Sequence, residues 1–290
     1  MGEDTALALD WSLSSRFLAG SRGVHARLPS SYNKEPGRHY PVLYLHDGQN
    51  VFASASDDVA FGWGGWELDR TAFLLAKAGK IQDIILVAVD NSPSRLEEYS
   101  GRHRASGPGS VSSTFENYEA FMINELKPCI DRRYRTQPGA SHTSVMGASM
   151  GGVCSLALAW DYPELFGGAA SLSGAFAPLF SDFLADMLES YHGRPKPFRV
   201  YLDSGVVDGG GGDDGRTFTG QVVSELRRIG WKAKDLLWFV DDKPLTQAEL
   251  GEWGLPPDKR AEAQVSQHNE FYWRRRSWRA LTFLFPPSKR

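Results

Sequence analysis

The stretch Gly147-Ala148-Ser149-Met150-Gly151-Gly152 connects an apolar, strand-like run, Thr143 to Ala148, to a segment whose apolar residues repeat at helical spacing. A strand that passes through Gly-x-Ser-x-Gly into a helix forms a nucleophile elbow, a sharp turn that exposes the serine hydroxyl. Small residues at positions 147 and 151 allow the strand and the helix to approach closely. The helix N-terminus beneath the turn favours developing negative charge. Ser149 is therefore the predicted nucleophile.

The rest of the chain alternates short, β-branched apolar runs with amphipathic stretches. The runs predict strands at 40–46, 81–90, 143–148, 169–172, 198–203 and 236–241, and the stretches predict helices near 67–79, 115–134, 150–162, 176–191, 217–229 and 269–284. This alternation is typical of a parallel sheet with helices on both faces. Residues 11–18 and 23–28 predict one or two antiparallel edge strands. We predict a single α/β domain over residues 1–290, in which 242–267 is an insertion or lid.

Composition excludes several classes of protein. Hydrophobic residues make up 41% of the 290 positions and charged residues 23%, which is typical of a globular protein and not of a disordered one. The net charge of −3 argues against a nucleic-acid-binding protein. No apolar run approaches the roughly 18 residues that span a bilayer, so membrane insertion is not expected.

Two further interpretations concern charge and the chain terminus. Arg274, Arg275, Arg276 and Arg279 form the densest basic run, which we interpret as the solvated face of a C-terminal helix. The N-terminal residues 1–4 lack the basic and apolar segments of a signal peptide, which favours a cytoplasmic protein.

A serine nucleophile requires a base that a third group orients. The elbow fold requires the chain order serine, acid, histidine, and only His192 and His268 follow Ser149. His192 lies in a polar connection and is expected at the surface. His268 follows the last predicted strand and directly precedes the last predicted helix, so it is the predicted base.

The orienting acid is expected in the loop after strand 198–203. This loop contains Asp203, Asp208, Asp213 and Asp214. Asp208 is the preferred candidate because it lies a few residues beyond the strand end. Asp213 and Asp214 approach the next helix, where an acidic N-cap is common. The other three remain open, because several carboxylates could reach the imidazole.

An oxyanion hole requires two main-chain N–H groups. One is that of Met150, and the other is expected in the loop 46–50, where Gly48 provides conformational freedom. His46 and Asp47 are expected to brace this loop, because two adjacent residues without a third ligand make a poor metal site. Trp63, Trp66 and Trp253 belong either to the core or to the cleft wall, and the run 61–66 could form a platform for a substrate ring or sugar.

Taken together, these residues resemble the esterase D-like family of α/β-hydrolases, which includes enterobactin-type siderophore esterases, feruloyl esterases and mycolyltransferases. The resemblance extends from about Arg27 to the C-terminus and rests on segments 40–50, 95–99, 125–128, 146–152, 161–166 and 268–270. It implies an α/β-hydrolase fold, with Ser149 as nucleophile and His268 as base. It also implies oxyanion donors at Gln49 and Met150, and places Arg95 near the substrate cleft.

The expected function is that of a serine esterase that cleaves a small-molecule carboxylic ester through an acyl-enzyme, with no metal or organic cofactor. Trp66 and Arg95 are the predicted substrate-binding residues. Segment 242–267 departs from the family pattern as a longer connection that could roof the site. Two alternatives remain: an acyltransferase with the same acyl-enzyme, and a non-catalytic binding protein on this fold.

Overall fold

Eight strands form one sheet in the computed structural model, which describes residues 7–53, 63–102, 113–207, 211–255, 257–260, 263 and 265–287. In chain order they are β1 (Leu7–Ser14), β2 (Ser21–Leu28), β3 (Val42–Leu45), β4 (Ile85–Val89), β5 (Thr143–Ala148), β6 (Gly168–Leu172), β7 (Arg199–Ser204) and β8 (Leu236–Val240). The order across the sheet is β1-β2-β4-β3-β5-β6-β7-β8. Strands β1 and β2 are antiparallel to their neighbours, and the other pairings are parallel. The predicted mostly parallel α/β sheet is confirmed.

The helices follow the predicted alternation. They are α1 (Leu68–Lys77), α2 (Arg95–Tyr99), α3 (Phe115–Phe121), α4 (Lys127–Arg133), α5 (Met150–Asp161), α6 (Arg216–Ile229), α7 (Gln247–Glu252), α8 (Pro257–Arg260) and α9 (Glu270–Leu284). A π-helical turn, Met122–Leu126, joins α3 to α4. The helix predicted at 176–191 begins later and is shorter, a π-helical segment Phe183–Glu189. None of the described helices is long and apolar enough to cross a membrane.

Two apolar cores lie on opposite faces of the sheet. Alternate residues of a strand point to opposite faces, so Tyr44 and Val145 belong to one core with α3, α5 and α6. Leu43, Leu45 and Met146 belong to the other core with α1 and α9. Burial on both faces explains why these strands are continuous apolar runs rather than alternating ones. Strand β5 lies in the middle of the sheet, and the turn to α5 follows its carboxyl end.

The excursion 242–267 forms a third, smaller apolar cluster with the start of α9. The cluster contains Leu245, Leu250, Leu255, Ala263, Phe271 and Tyr272, and Trp63 packs against it. Thr246 accepts a hydrogen bond from the main-chain N–H of Glu249 and so caps α7. Residues 256, 261, 262 and 264 lie outside the described residues. A role for this excursion as a lid stays a prediction.

The basic run on α9 is not a solvated face, so that interpretation was wrong. Arg276 is only 1% exposed and lies beside Asp203 and Asp214. Arg274 forms an ion pair with Glu67. Helical spacing identified the helix, but it carries no information about the carboxylates that distant loops bring against it.

Candidate active site

Ser149 lies in the turn between β5 and α5 with φ of 55° and ψ of −124°. A positive φ is uncommon for a residue with a side chain and costs about 1–3 kcal/mol, so the surrounding structure must hold it. A Cβ at Gly147 would lie 2.4 Å from the main chain of Gly151, and one at Gly152 would lie 2.1 Å from Oγ of Ser171. Strand and helix therefore meet as closely as the motif predicts, and the turn has the geometry of a nucleophile elbow.

His268 lies just before α9, with its Nδ1 2.7 Å from Oδ1 of Asp214. The side chain of Asp214 is fully buried, whereas that of His268 is 28% exposed. The carboxylate fixes the orientation of the ring and leaves Nε2 as the nitrogen available for other contacts. Ser149 and His268 line the same cavity of about 280 Å³. His192, the other histidine after Ser149, is exposed as expected.

The carboxylate beside His268 belongs to one of the four candidates that the sequence left open. Asp208, the preferred candidate, lies outside the described residues, so its assignment stays a prediction. Asp213 accepts a hydrogen bond from the main-chain N–H of Thr217 at 2.9 Å, as expected near a helix N-terminus. Asp214 has a left-handed φ of 58°, which turns the loop back toward His268. The number of residues between the strand end and each aspartate does not predict this left-handed turn.

Asp214 is held by a buried polar network. Its Oδ2 accepts hydrogen bonds from Oγ of Ser173 at 2.7 Å and from the main-chain N–H of Gly205, and it lies 3.7 Å from Nη1 of Arg276. Nε of Arg276 also lies 3.2 Å from Oδ1 of Asp203. Burial raises the pKa of Asp203 to about 6, against the opposing charge of Arg276. Two buried carboxylates thus share one guanidinium. Spacing in the sequence gave no signal for this arrangement.

The loop after β3 is braced as expected. Arg95 donates from Nε and Nη2 to the two carboxylate oxygens of Asp47 at 2.6 and 2.8 Å, and Asn91 adds a third hydrogen bond at 2.6 Å. Burial lowers the pKa of Arg95, but the hydrogen bonds and charge of Asp47 outweigh it and raise the pKa, so the guanidinium stays charged. His46 lies 2.9 Å from the hydroxyl of Tyr118, and burial lowers its pKa to about 4, which keeps it neutral.

The predicted oxyanion donors lie on two adjacent elements. Gln49 is in a short 3₁₀ turn, Gly48–Asn50, and its side-chain oxygen accepts a hydrogen bond from the main-chain N–H of Asn91 at 3.2 Å. Met150 is the first residue of α5. A Cβ at Gly48 would lie 2.8 Å from the main chain of Val89, so this turn requires glycine. Because β3 and β5 are neighbours, both donors lie at one edge of the sheet.

Three tryptophans are part of the cavity wall. Trp63, Trp66 and Trp273 all line the cavity, as do Arg95 and Glu270. Trp66 is only 2% exposed and its ring lies 5.7 Å from that of Trp273, so it belongs to both core and wall. Sequence reasoning missed Trp273 and Glu270, which follow His268 at the start of α9. Their position next to the predicted base was the only available signal.

The sheet order and the serine elbow that follows β5 are those of the α/β-hydrolase fold. A sequence profile described as Putative esterase matches residues 15–279, and the chain belongs to this family. The family is one of esterases, so the expectation of a carboxylic ester hydrolase is confirmed at this level.

Individual relatives and a solved structure are similar to part or most of the chain. The chain is 35% identical over 168 residues to Esterase Rv1288 of Mycobacterium tuberculosis, which is 56% of this chain and 30% of that protein. It is 25% identical over 202 residues to the uncharacterised protein YbbA of Bacillus subtilis, covering 67% of this chain and 72% of that one. The structure of a ferulic acid esterase superposes with a TM-score of 0.68 at 16% identity, over 97% of this chain and 98% of that one.

Proposed function

We propose that this protein is a serine esterase that hydrolyses a small-molecule carboxylic ester through an acyl-enzyme on Ser149. One observation carries the proposal: Ser149, on a strained elbow, and His268, held by a buried aspartate, line the same cavity of about 280 Å³. Membership of an esterase family supports the reaction class. A non-catalytic binding protein would have no need for the strained serine or for the buried carboxylate.

The proposed chemistry follows from these positions. Oγ of Ser149 attacks the ester carbonyl while Nε2 of His268 accepts its proton. The main-chain N–H groups of Gln49 and Met150 stabilise the oxyanion. The tetrahedral intermediate collapses as His268 returns the proton to the leaving alcohol. Water then attacks the acyl-enzyme with His268 again as the base, releasing the acid and free Ser149.

Asp214 is the proposed orienting acid. Its Oδ1 is the group that meets Nδ1 of His268, and its Oδ2 is saturated by Ser173 and the main chain of Gly205. A carboxylate held in this way stabilises the imidazolium that forms during each proton transfer and keeps the ring in one tautomer. We therefore assign the role to Asp214 in place of Asp208.

The test is hydrolysis of a short p-nitrophenyl ester series, combined with fluorophosphonate labelling located by mass spectrometry. Ser149→Ala should lose at least about 10⁴-fold in kcat and all labelling. The matched control is Ser141→Ala, at an exposed serine in a 3₁₀ turn, which should match the wild type. Product analysis with added alcohols separates hydrolysis from acyl transfer. Folded wild-type protein with neither turnover nor label would overturn the proposal.

A further inference from the structure

The carboxylate of Glu270 lies in the wall of the cavity that contains Ser149 and His268. Among the residues that the structure describes, no lysine, arginine or histidine lies within ion-pair distance of Glu270. Its side-chain partner is Nδ2 of Asn50, which donates to Oε1 at 3.3 Å. The other carboxylate of the cavity, Asp47, is already bound on both oxygens by Arg95. The cavity wall therefore carries an unbalanced negative charge whenever Glu270 is ionised.

The ionisation of Glu270 depends on its surroundings. Burial raises its pKa to about 7, and the charge of Asp47 adds to this, whereas the start of α9, His268 and Asn50 oppose it. Arg95 also faces it, but its guanidinium is committed to Asp47. Near neutral pH the carboxyl group is thus only partly ionised. A cation placed against it would favour the ionised form.

The other walls of the cavity also suit a cation. Trp63, Trp66 and Trp273 line it together with Glu270, and the faces of indole rings attract ammonium groups. Nζ of Lys259 lies 4.9 Å from the ring centroid of Trp63, so one of these indole rings already contacts an ammonium group. A neutral hydroxyl could also bond to Glu270, but it would gain little from the indole faces.

The position of Glu270 indicates which part of the ester it would meet. It begins α9, two residues after His268. In the proposed mechanism His268 protonates the leaving alcohol, so that alcohol departs on the side of the imidazole. Glu270 lies in the wall of the same cavity as this imidazole, so a charged group on the alcohol part can reach its carboxylate.

We propose that Glu270 is a specificity-determining residue that favours esters whose alcohol part carries an ammonium group. This inference rests on the proposed function, because it assumes acylation of Ser149 with His268 as the acid for the leaving alcohol.

The test compares butyrylcholine, the cationic ester, with 3,3-dimethylbutyl butyrate, a neutral ester of the same shape that serves as the reference. The measured quantity is the ratio of their kcat/KM values in wild type, Glu270→Gln and Glu164→Gln. The last variant removes one negative charge at an exposed position away from the cavity. The ratio cancels the ionisation of His268, which both esters require.

Wild type should favour the cationic ester by about tenfold at about pH 8 and by less at about pH 6. Glu270→Gln should lower the ratio several-fold at about pH 8, leaving the contribution of the indole rings, and should make the ratio the same at both pH values. Glu164→Gln should keep the wild-type ratio. If Glu270→Gln does not fold, Glu270→Ala replaces it, with p-nitrophenyl butyrate as the check on folded, active enzyme.

Equal ratios in wild type and Glu270→Gln would overturn the inference. Equal loss on both esters would also overturn it, because Glu270 would then act on the imidazolium and not on the substrate. Either result, with p-nitrophenyl butyrate still hydrolysed, leaves the proposed function standing. Wild type that hydrolyses none of the esters would contradict the proposed function itself.

Discussion

At the scale of single residues, three described aspartates that lie close together in sequence make different contacts. Asp203 pairs with Arg276 and Asp213 with the start of α6, while Asp214 faces His268. Asp203 and Asp214 share Arg276, but of the three described aspartates it is Asp214 that contacts His268, so single substitutions can distinguish their roles. Asp208, which lies outside the described residues, can be tested in the same way.

The first prediction concerns the identity of the acid. Asp214→Asn should lower kcat by about 10³- to 10⁴-fold, because an amide facing Nδ1 favours the wrong tautomer of His268. Asp208→Asn and Asp213→Asn should each retain kcat within about threefold of wild type. Steady-state kinetics on p-nitrophenyl acetate, with circular dichroism to confirm folding, measures this. A large loss in Asp208→Asn with activity retained in Asp214→Asn would reverse the assignment.

The second prediction concerns the effect of Glu270 on stability. Its pKa is raised from 4.5 to about 7 in the folded protein, so the folded state binds this proton more tightly than the unfolded chain. The resulting stabilisation is complete below about pH 4.5 and is lost as the pH rises to about 7. Glu270→Gln, neutral throughout, should therefore be more stable than wild type by about 1–3 kcal/mol at about pH 8.

Urea unfolding at about pH 4.5 and about pH 8 measures this difference. At the lower pH the free energies of unfolding of wild type and Glu270→Gln should be similar. The exposed control Glu164→Gln should show no such pH dependence. A constant difference between Glu270→Gln and wild type at both pH values would show that Glu270 does not titrate in this range.

At the scale of elements, the site depends on how closely β5 and α5 approach. Gly147→Ala should destabilise the protein by about 3 kcal/mol, because its Cβ would lie 2.4 Å from the main chain of Gly151, which cannot rotate away. Gly139→Ala is the matched control, since nothing lies within 4 Å of a Cβ there. Thermal unfolding compares the two. Equal melting temperatures would mean that the helix shifts at little cost.

The anchoring of α9 to the sheet gives a second prediction at this scale. Arg276→Met would leave Asp203 and Asp214 buried without their shared cation, and should cost about 3–5 kcal/mol of unfolding free energy. Adding Asp203→Asn should recover part of this loss, because it removes one of the two carboxylates. Exposed Arg227→Met on α6 is the control. Additive costs in the double variant would contradict the proposed coupling.

At the scale of the whole molecule, burial is distributed unevenly. Strands β3, β5 and β6 lie between the two large cores, whereas the excursion that contains α7 rests on one small cluster. Native-state hydrogen exchange should be slowest in 143–148 and 168–172, and at least about tenfold faster in 245–255. Mass spectrometry of peptic fragments measures this. Equal protection would make the excursion part of the main cooperative unit.

Features that depend on neighbouring residues could be predicted from the sequence, and features that depend on distant segments could not. Most predicted strands and helices came within a few residues of the structure, the stretch 176–191 excepted. The agreement arises because apolar periodicity is a local property of the chain. The nucleophile elbow could also be predicted from the sequence, because the close contact between Gly147 and Gly151 spans a single turn. The environment of Arg276 could not be predicted in this way, because its carboxylate partners lie on β7 and in the loop that follows β7.

The sequence by itself determined the alternating α/β architecture, the turn that bears Ser149 and the chain order that selects His268. Each of these depends on spacing along a short stretch or on the order of residues. Only the tertiary structure placed Asp214 against His268 and set Glu270 in the cavity wall with no ion-pair partner among the described residues. Those properties depend on which loops meet at the carboxyl edge of the sheet, and burial there sets the charge of each group.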